Sequence, residues 1–305
     1  LILFFSLNIS SCLRSDNSTS ETIGRCEFAK TNSTQNSVEP DNQSQKAFRL
    51  LLQSTFGPQK KDLDRIIEIG ETSWIDEQLQ HSSAYDAIGD SLTTNLEHYK
   101  NITLMAEPST YSDNASFNNN FHGRTSDYQS AAWFEKALHA PDQLRYRVAF
   151  ALSELLVVSA AKQRIRFRGD SLAYYDDILA KNAFGNFRDL LNEVTLSPAM
   201  GIFLSHQGNK KYMSQSKTHP DENFAREIMQ LFSLGLWKMN DDGSAVETGG
   251  DLVAAYTQED VEQLARVMTG YDLVGNSKYG KTHRGAGEEW ATPMEFTGSW
   301  HDFDN

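Results

Sequence analysis

"DQLRYRVAFALSELLVVS", residues 142–159, is the stretch of this chain that decides its fold class. Its apolar residues recur at the spacing of an α-helix and cover most of the helix circumference. They are Leu144, Val148, Ala151, Leu152, Leu155 and Leu156. A helix that is apolar on nearly every side is expected inside a core. The sequence therefore predicts that this helix is the central one of a helical domain.

Helical periodicity continues on both sides of this stretch. Residues 46–80 predict three short helices, and residues 171–204 predict two more with Tyr175 and Leu190 on their buried faces. Residues 107–127 are polar and predict a long surface loop. Strand-like alternation is confined to short runs near the C-terminus. The expected fold class is all-α, a multi-helix globular domain with long loops, preceded by a disordered tether.

The N-terminal residues read as an export signal. Residues 1–12, "LILFFSLNISSC", form an apolar run that ends in a small-residue segment and Cys12, which resembles the lipobox of bacterial lipoproteins. In such signals the cysteine is lipidated and becomes the new N-terminus. A plain cleavable signal peptide and a chance apolar start are the alternatives. If Cys12 carries lipid, Cys26 is the single cysteine left, so no disulfide framework is expected.

Composition divides the remainder of the chain into two parts. Residues 13–45 are rich in Ser, Thr, Asn and Gln and poor in apolar residues, which predicts a disordered linker behind the lipid anchor. Residues 46–305 form the predicted helical domain. The formal net charge of −13 and the lack of a Lys/Arg-rich stripe argue against nucleic acid as a partner.

A second stretch, "THPDENFAREIMQLFSLGLW", residues 218–237, concentrates polar side chains of the kinds that active sites use. On a continuous α-helix over residues 222–234, these side chains would share one arc, opposite the apolar ones. The polar arc consists of Glu222, Asn223, Arg226, Glu227, Gln230 and Ser233, and the apolar arc of Phe224, Ile228, Met229, Leu231 and Phe232. Glu222 with Arg226, and Asn223 with Glu227, are i,i+4 pairs that are expected to touch.

Two interpretations of this helix stay open. It is an ordinary amphipathic helix with weak surface pairs, or its carboxylates serve acid/base catalysis or bind a hard metal ion. Residues 238–251 fail the EF-hand calcium pattern, and Asp242-Gly243 there is typical of a turn between helices. His301 and Asp302 near the C-terminus could orient an imidazole for catalysis, although adjacent residues rarely pair this way. The sequence identifies neither a metal nor a cofactor.

Five segments together resemble, in order, the domain-of-unknown-function 1800 family (DUF1800) of bacterial exported proteins. They are "RLLLQSTFGPQKKDLDRIIEIGETSWIDEQL", "DQLRYRVAFALSELLVVS", "YYDDILAKNAFGNFRDLLNEVTLSPAMGIFLS", "PDENFAREIMQLFSLGLWKMNDDG" and "AYTQEDVEQLARVMTGY". The resemblance runs from about Phe48 to Asp302 and implies a mostly helical fold with no assigned activity. Many members carry His-Asn-His-Phe where this chain has Ala151–Glu154, so no role of those histidines carries over. Members also continue past the residues that match His301-Asp302, which implies that a C-terminal part of the domain is missing here.

The resemblance also implies a location and possible partners. Members are secreted or attached to the cell envelope, which here points to the bacterial outer membrane or cell surface. They are often encoded beside a sulfatase-like family, domain of unknown function 1501 (DUF1501), and some carry carbohydrate-associated modules. A DUF1501 protein and a glycan are therefore the candidate partners, and contact with a membrane is expected only through the lipid anchor.

Two functions follow as hypotheses. The first is an exported, lipid-anchored scaffold or binding protein for a partner or glycan. The alternative is an envelope-anchored hydrolase, dependent on a metal or on carboxylates, that acts on an extracellular polymer. In that hydrolase Glu222 and Glu227 are the acid/base or metal-ligating groups. Asn223 positions the substrate, Arg226 keeps a carboxylate ionised, and the fold brings His301 and Asp302 close to them.

Overall fold

The computed structural model describes residues 42–80, 94–106, 125–161, 163–275 and 289–303. Twelve α-helices lie in this described part. They are α1 (Asn42–Ser54), α2 (Lys60–Ile69), α3 (Glu71–Gln80), α4 (Asn95–Ala106), α5 (Thr125–His139), α6 (Gln143–Leu155), α7 (Gln163–Arg166), α8 (Gly169–Lys181), α9 (Phe187–Leu196), α10 (Pro198–Phe203), α11 (Asn223–Glu227) and α12 (Gln258–Val267). The all-α fold class is confirmed.

The remaining elements are short and lie toward the C-terminus. A π-helix, Ile228–Ser233, continues α11, and a 3-10 helix spans Gly298–Trp300. Two antiparallel pairs complete the described part. They are β1 (Glu247–Thr248) with β2 (Asp251–Leu252), and β3 (Tyr271–Asp272) with β4 (Glu295–Phe296).

The central helix of the domain is α8. It packs against α4, α5, α6 and α9, and ten of its residues are buried, among them Tyr175, Ile178 and Leu179. The prediction that the helix of residues 142–159 is central was wrong, since α6 leaves Leu155 46% exposed. Its apolar residues point in every direction, and only one face of α6 is covered by other helices. That face consists of Gln143, Arg145, Tyr146 and Ala149.

Polar contacts tie α8 to its neighbours. The carboxylate of Asp177 accepts the backbone N–H groups of Asn95 and Leu96 at 2.6 and 3.1 Å, so a residue of α8 caps the start of α4. From α6, Arg145 donates through Nη1 to the carbonyl of Ala180, three residues further along α8, at 3.0 Å. The packing order of the core is thus fixed by directional bonds as well as by apolar contact.

The segment predicted as one helix over residues 222–234 changes its hydrogen bonding at Ile228. There the α-helix becomes a π-helix, which takes more residues per turn. The register shifts, so Phe232 is buried while Leu231 is 58% exposed. The predicted position of Leu231 on the buried arc was therefore wrong. Phe224 faces inward as predicted and is fully buried.

Several predictions lie outside the described residues. These are the signal peptide with its lipobox at Cys12, the disordered linker as far as residue 41, and most of the long loop over residues 107–127. Of that loop, Thr125–Asp127 form the first turn of α5. Among the helices that the structure describes, none is both long and apolar enough to cross a membrane.

Candidate functional site

Two side chains of the polar arc form a closed ring with a side chain of α12. Nη2 of Arg226 donates to Oε2 of Glu222 at 2.8 Å and to Oε1 of Gln258 at 3.1 Å. Nε2 of Gln258 donates to the same Glu222 oxygen at 2.9 Å. We call this ring of Glu222, Arg226 and Gln258 the clasp. It contains the predicted Glu222–Arg226 contact, and its main effect is to join two helices.

The other predicted pair on this helix does not form. Among the described residues, no hydrogen bond joins the side chains of Asn223 and Glu227. Asn223 is exposed, and its backbone N–H donates to Oδ1 of Asp221 at 2.9 Å. Glu222 and Glu227 are five residues apart, so their side chains leave the helix in directions that differ by about 140°. The two carboxylates are therefore not directed at one point.

His301 and Asp302 each contact another part of the chain instead of each other. Nδ1 of His301 lies 2.8 Å from the carbonyl oxygen of Thr269, which can only accept, so Nδ1 carries a proton. The carboxylate of Asp302 accepts from Nε of Arg266 at 2.7 Å. These contacts of the two side chains therefore lead to α12 and to the residue that follows it by two positions.

The clasp and the His301–Asp302 pair lie at opposite ends of α12. Gln258 belongs to the first turn of that helix and Arg266 to its last turn. Eight residues at 1.5 Å each separate these anchors by about 12 Å along the helix axis. The fold thus brings the predicted residues onto elements around α12, but not into one hydrogen-bonded cluster.

Asn209, which the sequence analysis missed, connects the start of α11 to the end of α12. The side-chain amide of Asn209 accepts from the N–H of Asp221 at 2.8 Å and donates to the carbonyl of the same residue at 3.1 Å. Its own carbonyl accepts from the N–H of Gly270, just after α12, at 2.9 Å. Asn209 thereby positions the start of α11 relative to the end of α12. The only signal in the sequence is the Gly208-Asn209 dipeptide, which is typical of a turn.

His206 is a second residue that was missed. It is buried, stacked on the ring of Phe224 with 3.9 Å between centroids, and its Nε2 lies 2.8 Å from the carbonyl of Thr195. Burial lowers the pKa of His206 to about 4, against the opposing effect of the Thr195 hydrogen bond. The imidazole is therefore neutral, and Nε2 donates to Thr195. No described residue hydrogen-bonds to Nδ1.

The His206 pKa predicts how stability depends on pH. Because the pKa is about 4 in the folded state and about 6.5 in the unfolded chain, protonation favours unfolding. The contribution of neutral His206 to the free energy of unfolding is fully present above pH 6.5. It falls by about 3 kcal/mol as the pH is lowered toward 4. Urea unfolding at pH 7, 5.5 and 4 measures it.

The matched variants isolate this effect. His206→Gln removes the titrating group. It is expected to reduce the difference in unfolding free energy between pH 7 and pH 4 by the same amount of about 3 kcal/mol. His219→Gln, at an exposed histidine beside the ring of Tyr212, is the matched control. A His206 imidazole that titrates near pH 6.5 by NMR would contradict the prediction.

A metal site would need several His, Cys, Asp or Glu side chains directed at one point. No cluster of three or more His, Cys, Asp or Glu side chains that could hold a metal ion occurs among the described residues. The catalytic roles predicted for Glu222, Asn223, Arg226, Glu227, His301 and Asp302 remain predictions.

Comparison with known proteins identifies a family. A family model described as "Protein of unknown function (DUF1800)" matches residues 49–305, which is nearly the whole of the described part. No curated protein and no solved structure matches the chain.

Proposed function

This chain belongs to the DUF1800 family, and from that premise we propose that it is an exported, lipid-anchored helical protein of the bacterial cell envelope. In this proposal it acts as a surface scaffold or binding protein for a partner protein or a glycan. The lipobox-like segment that ends at Cys12 supports export and anchoring. The sulfatase-like DUF1501 family supplies the partner protein to test first.

The clasp is the observation that carries the scaffold function. Both donors that reach Glu222 Oε2 come from side chains that join α11 to α12, namely Arg226 and Gln258. A general acid or base has to face its substrate and exchange a proton with it. The alternative hydrolase would in addition need Glu222 and Glu227 to act together from diverging directions. The polar arc is better suited to holding two helices together.

Metal content and stability of carboxylate variants test this proposal. For the complete gene product made without its lipid anchor, we expect no stoichiometric metal by elemental analysis. Glu222→Gln and Glu227→Gln should fold, with losses of unfolding free energy under about 1 kcal/mol, because both side chains are partly solvated. Glu259→Gln, an exposed carboxylate outside the clasp, is the matched control. If the wild-type protein holds stoichiometric metal and either Glu222→Gln or Glu227→Gln loses it, the hydrolase is favoured instead.

Anchoring is tested on the same gene product in its own cells. The wild-type chain should incorporate labelled fatty acid and fractionate with membranes. Cys12→Ser should do neither, and Cys26→Ser should behave as the wild type. Lipid incorporation that persists in Cys12→Ser would contradict the lipid anchor without bearing on the scaffold.

A further inference from the structure

Exposed apolar side chains are concentrated in the segment that follows α11. Six large ones within residues 231–252 are between 41% and 58% exposed. They are Leu231, Leu234, Leu236, Trp237, Met239 and Leu252, and we call them the apolar surface. Large exposed apolar patches on soluble proteins commonly mark interaction sites. The shift into a π-helix is part of the cause, because it turns Leu231 outward.

The backbone segments beneath this surface are hydrogen-bonded to one another. The N–H of Lys238 donates to the carbonyl of Val253 at 2.9 Å, that of Val253 to Val246 at 3.0 Å, and that of Val246 to Lys238 at 2.8 Å. Three extended segments are thus joined in a ring. Since these backbone groups bond to one another, the side chains are what this region offers to a partner.

The pairing register places three of the apolar side chains on one face. Trp237 pairs with Ala254, Met239 with Ala245, and Leu252 with Glu247. Cross-strand partners project to the same side, and residues two apart on a strand do so as well. Trp237, Met239 and Leu252 therefore project together, with the carboxylate of Glu247 beside them.

Charges around the apolar surface have one predominant sign. Between residues 238 and 262 the only basic side chain is Lys238. The acidic side chains there are all exposed and are Asp241, Asp242, Glu247, Asp251, Glu259, Asp260 and Glu262. Glu247 and Asp251 belong to the paired strands that carry Leu252, and we call these two carboxylates the acidic rim; their sign agrees with the net charge of −13.

This charge pattern selects among possible occupants. A symmetric dimer would bring the same patch of two copies together, so the acidic rims would face each other at a cost in free energy. An anionic lipid surface would be repelled in the same way. A glycan would stack on aromatic rings, and Trp237 is the single aromatic side chain of the apolar surface, the other five being aliphatic or sulfur-containing.

We propose that the apolar surface binds a protein partner whose apolar contact residues are flanked by Lys or Arg. The proposal rests on the proposed binding function and names the surface and the chemistry of the partner. The apolar side chains supply the buried centre of the contact, and opposite charges at the rim select and orient the partner.

Site-specific photo-crosslinking in the cells that produce the protein tests this proposal. A photoreactive amino acid replaces Met239 in the full gene product, and the crosslinked peptide is sequenced by mass spectrometry. The matched control replaces Phe134 of α5, a 59% exposed apolar residue on another helix. We expect a discrete adduct at position 239, absent at 134, with a protein segment that carries apolar residues flanked by Lys or Arg.

Two variants examine the two parts of the proposed contact. Trp237→Ser with Leu252→Ser removes apolar area, and Glu247→Lys with Asp251→Lys reverses the rim. Each pair should reduce the adduct at position 239 by about tenfold or more, since substitutions at interface centres commonly have effects of this size. Circular dichroism and thermal unfolding confirm that the variants fold. If the yield of the adduct at position 239 is unchanged in the first pair, the apolar contact is overturned. If it is unchanged in the second pair, the role of the acidic rim is overturned.

The adducts also separate this proposal from the proposed function. An adduct at position 239 with a second copy, a lipid, a glycan or another segment of the same chain would overturn the inference. A partner captured at position 134 and not at 239 would leave a binding function in place and refute this surface. No adduct at either position would count against both.

Discussion

Gly169→Ala is expected to destabilise the domain by roughly 3 kcal/mol or more, because an added methyl group has no room. A Cβ atom at this position would lie 2.8 Å from the carbonyl carbon of Thr125 and 2.8 Å from Cε2 of Tyr99, and closer still to the carbonyl oxygen of Thr125. Two of these atoms belong to the backbone at the start of α5. Tyr99 is fully buried in α4, so neither neighbour can move away easily.

Urea unfolding followed by circular dichroism measures this loss, and Gly185→Ala is the matched control. The nearest atom to a Cβ at Gly185 is 3.5 Å away, which is ordinary van der Waals contact. The control is expected to change the unfolding free energy by less than about 0.5 kcal/mol. Equal effects in the two variants would mean that α4, α5 and α8 do not meet as closely at Gly169 as the structure has them.

Arg145→Met is expected to cost about 3–5 kcal/mol, because it removes the counter-charge that lies 3.5 Å from a buried carboxylate. Arg145 and Asp142 are 5% and 3% exposed, with Nε of Arg145 3.5 Å from Oδ2 of Asp142. The guanidinium also lies over the ring of Phe184, 4.8 Å from its centroid, and donates to the carbonyl of Ala180. Methionine preserves much of the side-chain volume, so the loss reflects charge and hydrogen bonding.

Thermal and urea unfolding of four variants, namely Arg145→Met, Asp142→Asn, their double variant and Lys60→Met, separate the causes. Lys60→Met removes an exposed ion pair with Asp64 and is expected to cost less than about 1 kcal/mol. Asp142→Asn with Arg145→Met removes both charges of this pair, so the double variant should lose less than the sum of its two single variants. Additive losses would indicate that the two charges do not interact in the folded state.

Local sequence signals predicted much of the fold. Helical spacing identified the buried residues Tyr175, Ile178 and Leu190, because each lies on the covered face of a short amphipathic helix. The same spacing failed for residues 142–159, since an apolar residue does not reveal which neighbouring element will cover it. It failed again at Leu231, where the change from α- to π-helix alters the period itself.

The candidate site was predictable only where its contacts are local. The Glu222–Arg226 bond follows from spacing within one helix, whereas Gln258 joins that bond from 32 residues beyond Arg226. The bonds from Asn209 to Asp221 and the stacking of His206 on Phe224 also depend on how distant segments meet. Neither contact has a signature in a single sequence, since a lone Asn or His in a loop is compatible with many environments.

The cap on α4 has a consequence for how the chain assembles. A helix of 12 residues is marginal in isolation, and the carboxylate that completes its first turn belongs to Asp177, 82 positions beyond Asn95. The first turn of α4 is therefore complete only when α8 is already in place. The two helices are thereby coupled into one cooperative unit, so that α4 has its full stability only while α8 is in place.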